Sequence, residues 1–540
     1  MTNPPIEIAR RAGGNLARAA RRVLDRTALP RREGFWLVVR FAAPLEELRV
    51  SSLPFGRGPS LSLLEVLETL DAASEDPQVD GVLLHFSGPL RGVAKVLSLR
   101  RAVLRLREKG IPVAAYAETL EAEGLLVASA ATELWLPESG NVFLVGLRLE
   151  SLFLRGVLDR LDIKPEVVRI GRYKRAGERF TRERTSPEDR EQLEALADDL
   201  YGELVEGIAK GRRLAPEVVR DLIDRGPYHA RAAVEVGLAD GCLYPDEIER
   251  ALEALMPEPP GDRPGPRRVR LVEATLYHAI RAGDTGWRPL FHGLPRIAYV
   301  VARGAIGRGR GHRGIASDGY RELFEAIRRD ERVRGVVLRI DSGGGDAVAS
   351  DLLWRSLSLV TEEKPVVVSM GDVAASGGYY MASAADEVLA EAGTVTGSIG
   401  VVGGKINLEG LYRRIGVAKE AIERGARAGL LSESRGFTPD ERSAVRGEMA
   451  ALYETFIDRV AQGRGLAPED IRAVAEGRVW SGSRAQKAGL VDAMGGPLEA
   501  LLAVRRRAGL QRDEPVLLER HPRLPRLPGL RDLLQWIPRR

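Results

Sequence analysis

Gly335-Val-Val-Leu-Arg-Ile340 runs into Asp341-Ser-Gly-Gly-Gly-Asp346, an unbroken apolar stretch that ends in three glycines. A second such stretch, Val366 to Met370, leads into Ala374-Ala-Ser-Gly-Gly-Tyr-Tyr380. Apolar runs this short, closed by glycine and followed by a helical pattern, predict buried strands entering helices. The same text occurs 254 positions earlier. Gly81-Val-Leu-Leu-His-Phe86 echoes Gly335 to Ile340, Ala128-Ser-Ala-Ala-Thr-Glu-Leu134 echoes Ala382 to Val388, and Arg169-Ile-Gly-Arg-Tyr-Lys-Arg-Ala-Gly177 echoes the stretch Glu423 to Gly429. On this register Ser376 faces Ala122 and Lys174 faces Ala428, so each half lacks the reactive type that the other keeps. A nucleophile and a base divided in this way point to a hydrolase built from two pseudo-equivalent domains.

Each half alternates strands and amphipathic helices, which predicts an α/β fold with parallel sheets and right-handed crossovers. The first repeat opens at Trp36-Leu-Val-Val-Arg-Phe41 and the second at Ile297-Ala-Tyr-Val-Val-Ala302. Within the second repeat the pattern predicts a strand over 335–340, a helix over 347–360, a strand over 365–370 and a helix from Gly377. Both repeats close alike: Gly477-Arg-Val-Trp-Ser-Gly482 with Gly489-Leu-Val-Asp492 matches Gly226-Pro-Tyr-His-Ala-Arg231 with Gly237-Leu-Ala-Asp240. Residues 257–268, Pro-Glu-Pro-Pro-Gly-Asp-Arg-Pro-Gly-Pro-Arg-Arg, continue neither a helix nor a central strand. The expected division is a basic arm over 1–34, a first repeat over 35–255, a Pro-rich linker over 256–294, a second repeat over 295–508 and a Pro/Arg/Leu-rich tail over 509–540.

Composition narrows the function. The 540 residues are 44% apolar and 29% charged with a net charge of +5, ordinary for a folded protein of two cores. Aromatics are only 5%, which argues against a nucleic-acid surface of basic and aromatic side chains. Cys242 is the one cysteine, so no intrachain disulfide forms, and the six histidines show no metal-ligand spacing. No apolar run reaches the roughly 18 residues that a membrane span needs, and no secretory leader is evident. Residues 6–26 set Ile8, Ala12, Leu16, Ala19 and Val23 near helical spacing among six arginines, the basic amphipathic pattern of a solvated or docking helix or, though Gly13-Gly14 weakens the helix, of peripheral membrane contact.

Glycines after a strand let backbone N–H groups face a cleft, although Asp341 to Asp346 alone is equally a tight turn. Ser376 stands at a strand-turn-helix corner, where the hydroxyl is exposed and the next N–H can receive an oxyanion. A lone serine there is more often a helix cap. Two glycine corners at matched topology favour the nucleophile. A serine needs a base, and no histidine lies near either motif. Lysine serves if burial or neighbouring positive charge depresses its pKa. Lys174 lies at the exit of an apolar stretch among Arg169, Arg172 and Arg175, and it is one of nine lysines against 72 arginines. Arginine cannot give up its proton, so a retained lysine suggests that task. Lys405 in Val401-Val-Gly-Gly-Lys is the alternative base.

In combination these motifs, with Thr396-Gly-Ser-Ile-Gly400, resemble peptidase family S49 in its long tandem-repeat, signal peptide peptidase A form, within the ClpP/crotonase superfamily. The likeness spans about residues 35–508. It implies two tandem ClpP/crotonase-like repeats with parallel sheets and ββα crossovers, and a Ser-Lys dyad of Ser376 and Lys174. It further implies oxyanion donors at Gly345 and Gly377, with Ser398 orienting the lysine amine. The implied activity is a serine endopeptidase that degrades cleaved signal peptides and other short apolar peptides, without a cofactor or metal, as a homotetramer that is membrane-associated or cytoplasmic. Two departures stand out: Gly343 replaces a proline common in the family's glycine loop, and the usual N-terminal anchor is missing. The competing expectations are a crotonase-like acyl-CoA hydrolase or lyase, using Asp346 or Asp372 as base, and a non-catalytic scaffold. For the scaffold, Ala122 and Arg91 show that the first repeat alone lacks both serine and oxyanion glycine.

Overall fold

Strands buried on both faces are what continuous Val/Ile/Leu runs form, because an edge or surface position leaves half of such a run in water. The computed structural model describes residues 34–42, 44–48, 61–256, 268–284, 293–311, 313–512 and 514–522, with helical positions at 9, 12–16 and 19. The peripheral-membrane expectation for residues 6–26 falls largely outside the described residues. Among the described residues no helix is long and apolar enough to cross a membrane.

The first repeat holds β1 (Phe35–Phe41), α1 (Leu63–Ala73), β2 (Val79–Phe86), α2 (Val93–Glu108), β3 (Val113–Ala117), α3 (Ala122–Ala128), β4 (Glu133–Leu136), β5 (Lys164–Ile170) and α4 (Pro187–Arg212). Its sheet runs Leu271–Glu273, β1, β2, β3, β4, Gly241–Cys242, and every pair is parallel. The linker expectation is corrected here. Residues 271–284 are not linker, because Leu271–Glu273 pairs with β1 and the helix Ala274–Asp284 buries Tyr277 against Phe35.

The second repeat holds β6 (Arg296–Arg303), β7 (Val333–Ser342), α5 (Ala347–Thr361), β8 (Val366–Ala375), α6 (Gly377–Ala382), β9 (Val395–Gly397), β10 (Val401–Asn407), α7 (Pro439–Arg464) and β11 (Val479–Ser481). Its sheet runs β11, β9, β8, β7, β6, Leu517–His521. The last strand corrects the tail, whose residues 517–521 pair in parallel with Arg296 to Val300. Strand β8 serves two ladders: Val367 to Ser369 pair with Glu387 to Leu389, whereas Val373 to Ala375 pair with Val395 to Gly397. The chain therefore leaves one ladder for another just before Ser376, which is how the corner acquires its sharp turn.

Several contacts join the repeats. Strand β5 pairs antiparallel with β10 across the full length of both, from Val401 opposite Ile170 to Asn407 opposite Lys164. The fully buried Arg339 of β7 donates from Nη2 and Nε to Glu47 Oε1 and Oε2 at 3.0 and 3.1 Å, and from Nη1 to Ser369 Oγ at 2.9 Å. Leu64 of α1 also packs with Tyr299 and Val337 of the second sheet.

Candidate active site

Ser376 stands between β8 and α6 with φ 54° and ψ −121°, a backbone state that an L residue holds only under constraint. Its N–H donates to Gly397 O at 2.8 Å, which fixes the corner onto β9. The loop from Ser342 to Asp346 lies against it. Gly344 has φ +96°, and a Cβ there would sit 2.6 Å from Gly377 N and 2.8 Å from Ser376 Cβ, so only glycine fits. A Cβ on Gly343 would meet nothing within 4 Å, so the loop does not itself require glycine at that position. Ile306 N donates to Gly344 O at 3.0 Å, and Asp346 N donates to Ile306 O at 3.0 Å. Gly345 lies between these two bonds. Its own N–H, like that of Gly377, has no acceptor among the described residues.

Lys174 comes to this corner from the first repeat, at the end of the β5–β10 ladder. Gly171, at φ +103°, turns the chain, Tyr173 N donates to Glu476 O at 2.8 Å, and Arg172 N donates to Glu476 Oε2 at 3.1 Å. Gln192 of α4 clamps the turn from behind: its Nε2 donates to Tyr173 O at 3.1 Å and its Oε1 accepts from Val479 N at 3.0 Å. The Arg478 guanidinium stacks between Tyr173 and Trp480. These seating residues carry no reactive signature and were not singled out from the sequence. The one available signal was the Gly477 to Gly482 motif, whose glycine lets the lysine backbone approach.

The Lys174 side chain is 5% exposed, and its Nζ lies 2.9 Å from Ser376 Oγ, 2.7 Å from Ser398 O and 3.0 Å from Ser398 Oγ. Burial alone lowers its pKa from the ordinary 10.5 to about 7. The neighbouring arginines, expected to share in this, are occupied elsewhere. Arg169 pairs with Glu178 at 2.7 Å, and Arg175 with Asp189 at 3.3 Å. As an ammonium, Lys174 has three N–H donors for three oxygens. As a neutral amine it keeps two for Ser398 O and Oγ, which leaves its lone pair facing the Ser376 hydroxyl.

The other candidates fall away from this point. Lys405 pairs in register with Glu166 and sets its Nζ 4.6 Å over the Phe437 ring. Asp346 caps α5, accepting from Ala349 N at 2.8 Å and Arg308 Nε at 2.9 Å. Asp372 accepts from Ala94 N at 2.9 Å, near the start of α2, and so ties the repeats together. Both carboxylates are engaged in structural contacts.

Two tandem α/β units on mainly parallel sheets, with a functional corner at the end of the second unit's split central strand, define the class: a tandem-repeat α/β protein. The Peptidase family S49 model matches residues 105–256 and 358–511. The chain is 35% identical over 467 residues to the chloroplastic serine protease SPPA of Arabidopsis thaliana, covering 85% of this chain and 67% of that one. It is 29% identical over 478 residues to Protease 4 of Salmonella typhi, covering 85% and 75%. Protease 4 of Haemophilus influenzae is 28% identical over 480 residues, covering 86% and 75%. The chain belongs to peptidase family S49, and it is a protease.

Proposed function

We propose that the protein is a serine endopeptidase with a Ser376–Lys174 dyad that cleaves short apolar peptides, signal-peptide remnants among them. The single observation that carries this reading is the 2.9 Å contact between Lys174 Nζ and Ser376 Oγ, made by a buried amine. Ser376 Oγ attacks the scissile carbonyl carbon while its proton passes to the Lys174 lone pair. The Gly345 and Gly377 N–H groups hold the tetrahedral oxyanion. Collapse expels the amine, which takes the proton from Lys174 and leaves an ester on Ser376. Neutral Lys174 then deprotonates a water that attacks this ester, and Ser376 leaves as the alcohol. Ser398 orients the amine throughout.

The test is peptide turnover with Ser376→Ala and Lys174→Ala, each expected to lose at least about a thousandfold in kcat while keeping the wild-type circular dichroism spectrum. Near-wild-type activity in Lys174→Ala refutes the dyad. A fluorophosphonate probe should label Ser376 in the wild type and fail on both variants.

We also infer a homo-oligomer, with the tetramer as the expected size. Residues 147–153 and 418–424 are mostly exposed and belong to no helix or strand among the described residues. On the 254-residue offset they are the mates of β10 and β5, which do pair, so two copies can form the same ladder between them. Light scattering on the purified chain measures the size, and a monomer refutes this part.

A further inference from the structure

The first repeat keeps a cleft where the reactive groups are gone. On the offset, Arg91 stands for Gly345, Ala122 for Ser376 and Leu144 for Ser398. Arg91 and Ala122 line a cavity of 530 Å³, a size typical of ligand sites. Its walls are apolar: Val93, Val96, Leu126, Phe143, Val145 and Leu204. Val145 is 61% exposed in the single chain, two residues before the segment inferred above to pair with a second copy. A neighbouring hollow of 210 Å³ shares Thr119 and Glu121 and runs on past Leu90 and Leu120, which lengthens the cavity into a trough.

The charges of this trough are unbalanced. Glu121, Glu123 and Glu203 line it with one lining cation, Arg91, whose Nη1 lies 2.6 Å from Glu121 and 3.2 Å from Glu123, while Lys210 and Arg100, outside the lining, also act on Glu203. Glu203 has neither ion pair nor hydrogen bond among the described residues. Burial raises the pKa of Glu123 and Glu203, so a cation placed against them relieves the cost of their charge. An apolar trough with surplus carboxylates complements an apolar chain led by a positive group. Alanine at 122 supplies no nucleophile, so whatever binds there stays whole.

We propose that the degenerate cleft of the first repeat is a non-cleaving binding site for an apolar peptide segment that carries a cationic group, an N-terminal amine or a basic side chain. This rests on the peptidase reading above, and it assigns the dead half of the duplication a role in holding substrate. The probe is a fluorescent Leu/Ala-rich peptide with two lysines at its N-terminus and a benzophenone, titrated by anisotropy onto the full Ser376→Ala chain. Two peptides should bind per chain, with photo-crosslinks both beside residue 376 and within 119–147. Val145→Asp in that background should remove one of the two, and the pair Glu121→Lys, Glu123→Lys should weaken it at least tenfold. A stoichiometry of one that Val145→Asp leaves unchanged, or no binding at all, overturns the proposal. So does a stoichiometry of one combined with loss of the oligomer in Val145→Asp, since the face then belongs to a second copy. Wild-type turnover of the same peptide, measured separately, judges the dyad, so the two readings fail independently.

Discussion

The rate of peptide hydrolysis should follow the titration of one buried amine. Lys174 has its pKa held down to about 7 by burial, so it acts as a base only in the fraction that has lost its proton. That fraction is about one half at pH 7 and about 1% at pH 5, so kcat/KM should fall roughly fiftyfold between them. From pH 7 to pH 9 the gain should be only about twofold, because the amine is then almost wholly neutral. The assay is initial-rate hydrolysis of a fluorogenic apolar peptide from pH 5 to 10 at constant ionic strength, with circular dichroism at each pH to exclude unfolding. A rate that still climbs tenfold per unit from pH 8 to 10 would falsify the reasoning, because it reports a solvated lysine. A flat profile from pH 5 to 7 would refute it equally.

The same shift fixes a stability change. The unfolded chain binds the extra proton between about pH 7 and 10.5, so stability rises through that window, and below pH 7 the full cost, on the order of 5 kcal/mol, is present. Lys174→Met should therefore unfold at higher denaturant than wild type at pH 6, with the advantage gone near pH 10.5; an advantage that grows with pH contradicts the buried ammonium. Gly344→Ala places a Cβ 2.6 Å from Gly377 N at φ +96°, and should cost about a hundredfold or more in kcat/KM while the chain still folds. Ser398→Ala leaves the backbone carbonyl to hold the amine, so kcat should fall about tenfold with KM little changed, as steady-state kinetics will read. Arg339→Ala leaves the buried Glu47 carboxylate with the more distant Lys95, at 4.0 Å, and should lower the unfolding free energy by about 3 kcal/mol in urea titration.

The sheets were legible because their strands are unbroken apolar runs: 336–340 and 366–370 have one reading at that length between glycines. The meeting of Ser376 and Lys174 was legible because the duplication acts as an internal control, with Ala122 and Ala428 at the matching positions. Three features stayed hidden. The strand at 271–273 is too short to stand out after a proline-rich run, and it forms because β1 offers an open edge. Strand β8 extends past Met370 through Gly371 and Asp372, where glycine and aspartate read as a turn, although the second ladder holds them extended. The seat of the lysine turn on Glu476 and Gly477 rests on backbone atoms and one Glu476 carboxylate oxygen far away in sequence, which leave little imprint on the lysine motif itself.

The antiparallel pairing of β5 with β10 makes the meeting of amine and hydroxyl a first-order event inside one polypeptide. Specific activity should thus survive dilution to concentrations at which separate subunits would drift apart. A cut between the two halves after folding, in the proline-rich run at 257–267, should leave the fragments held together and still competent. The β5–β10 ladder, and not the tether, holds the alignment.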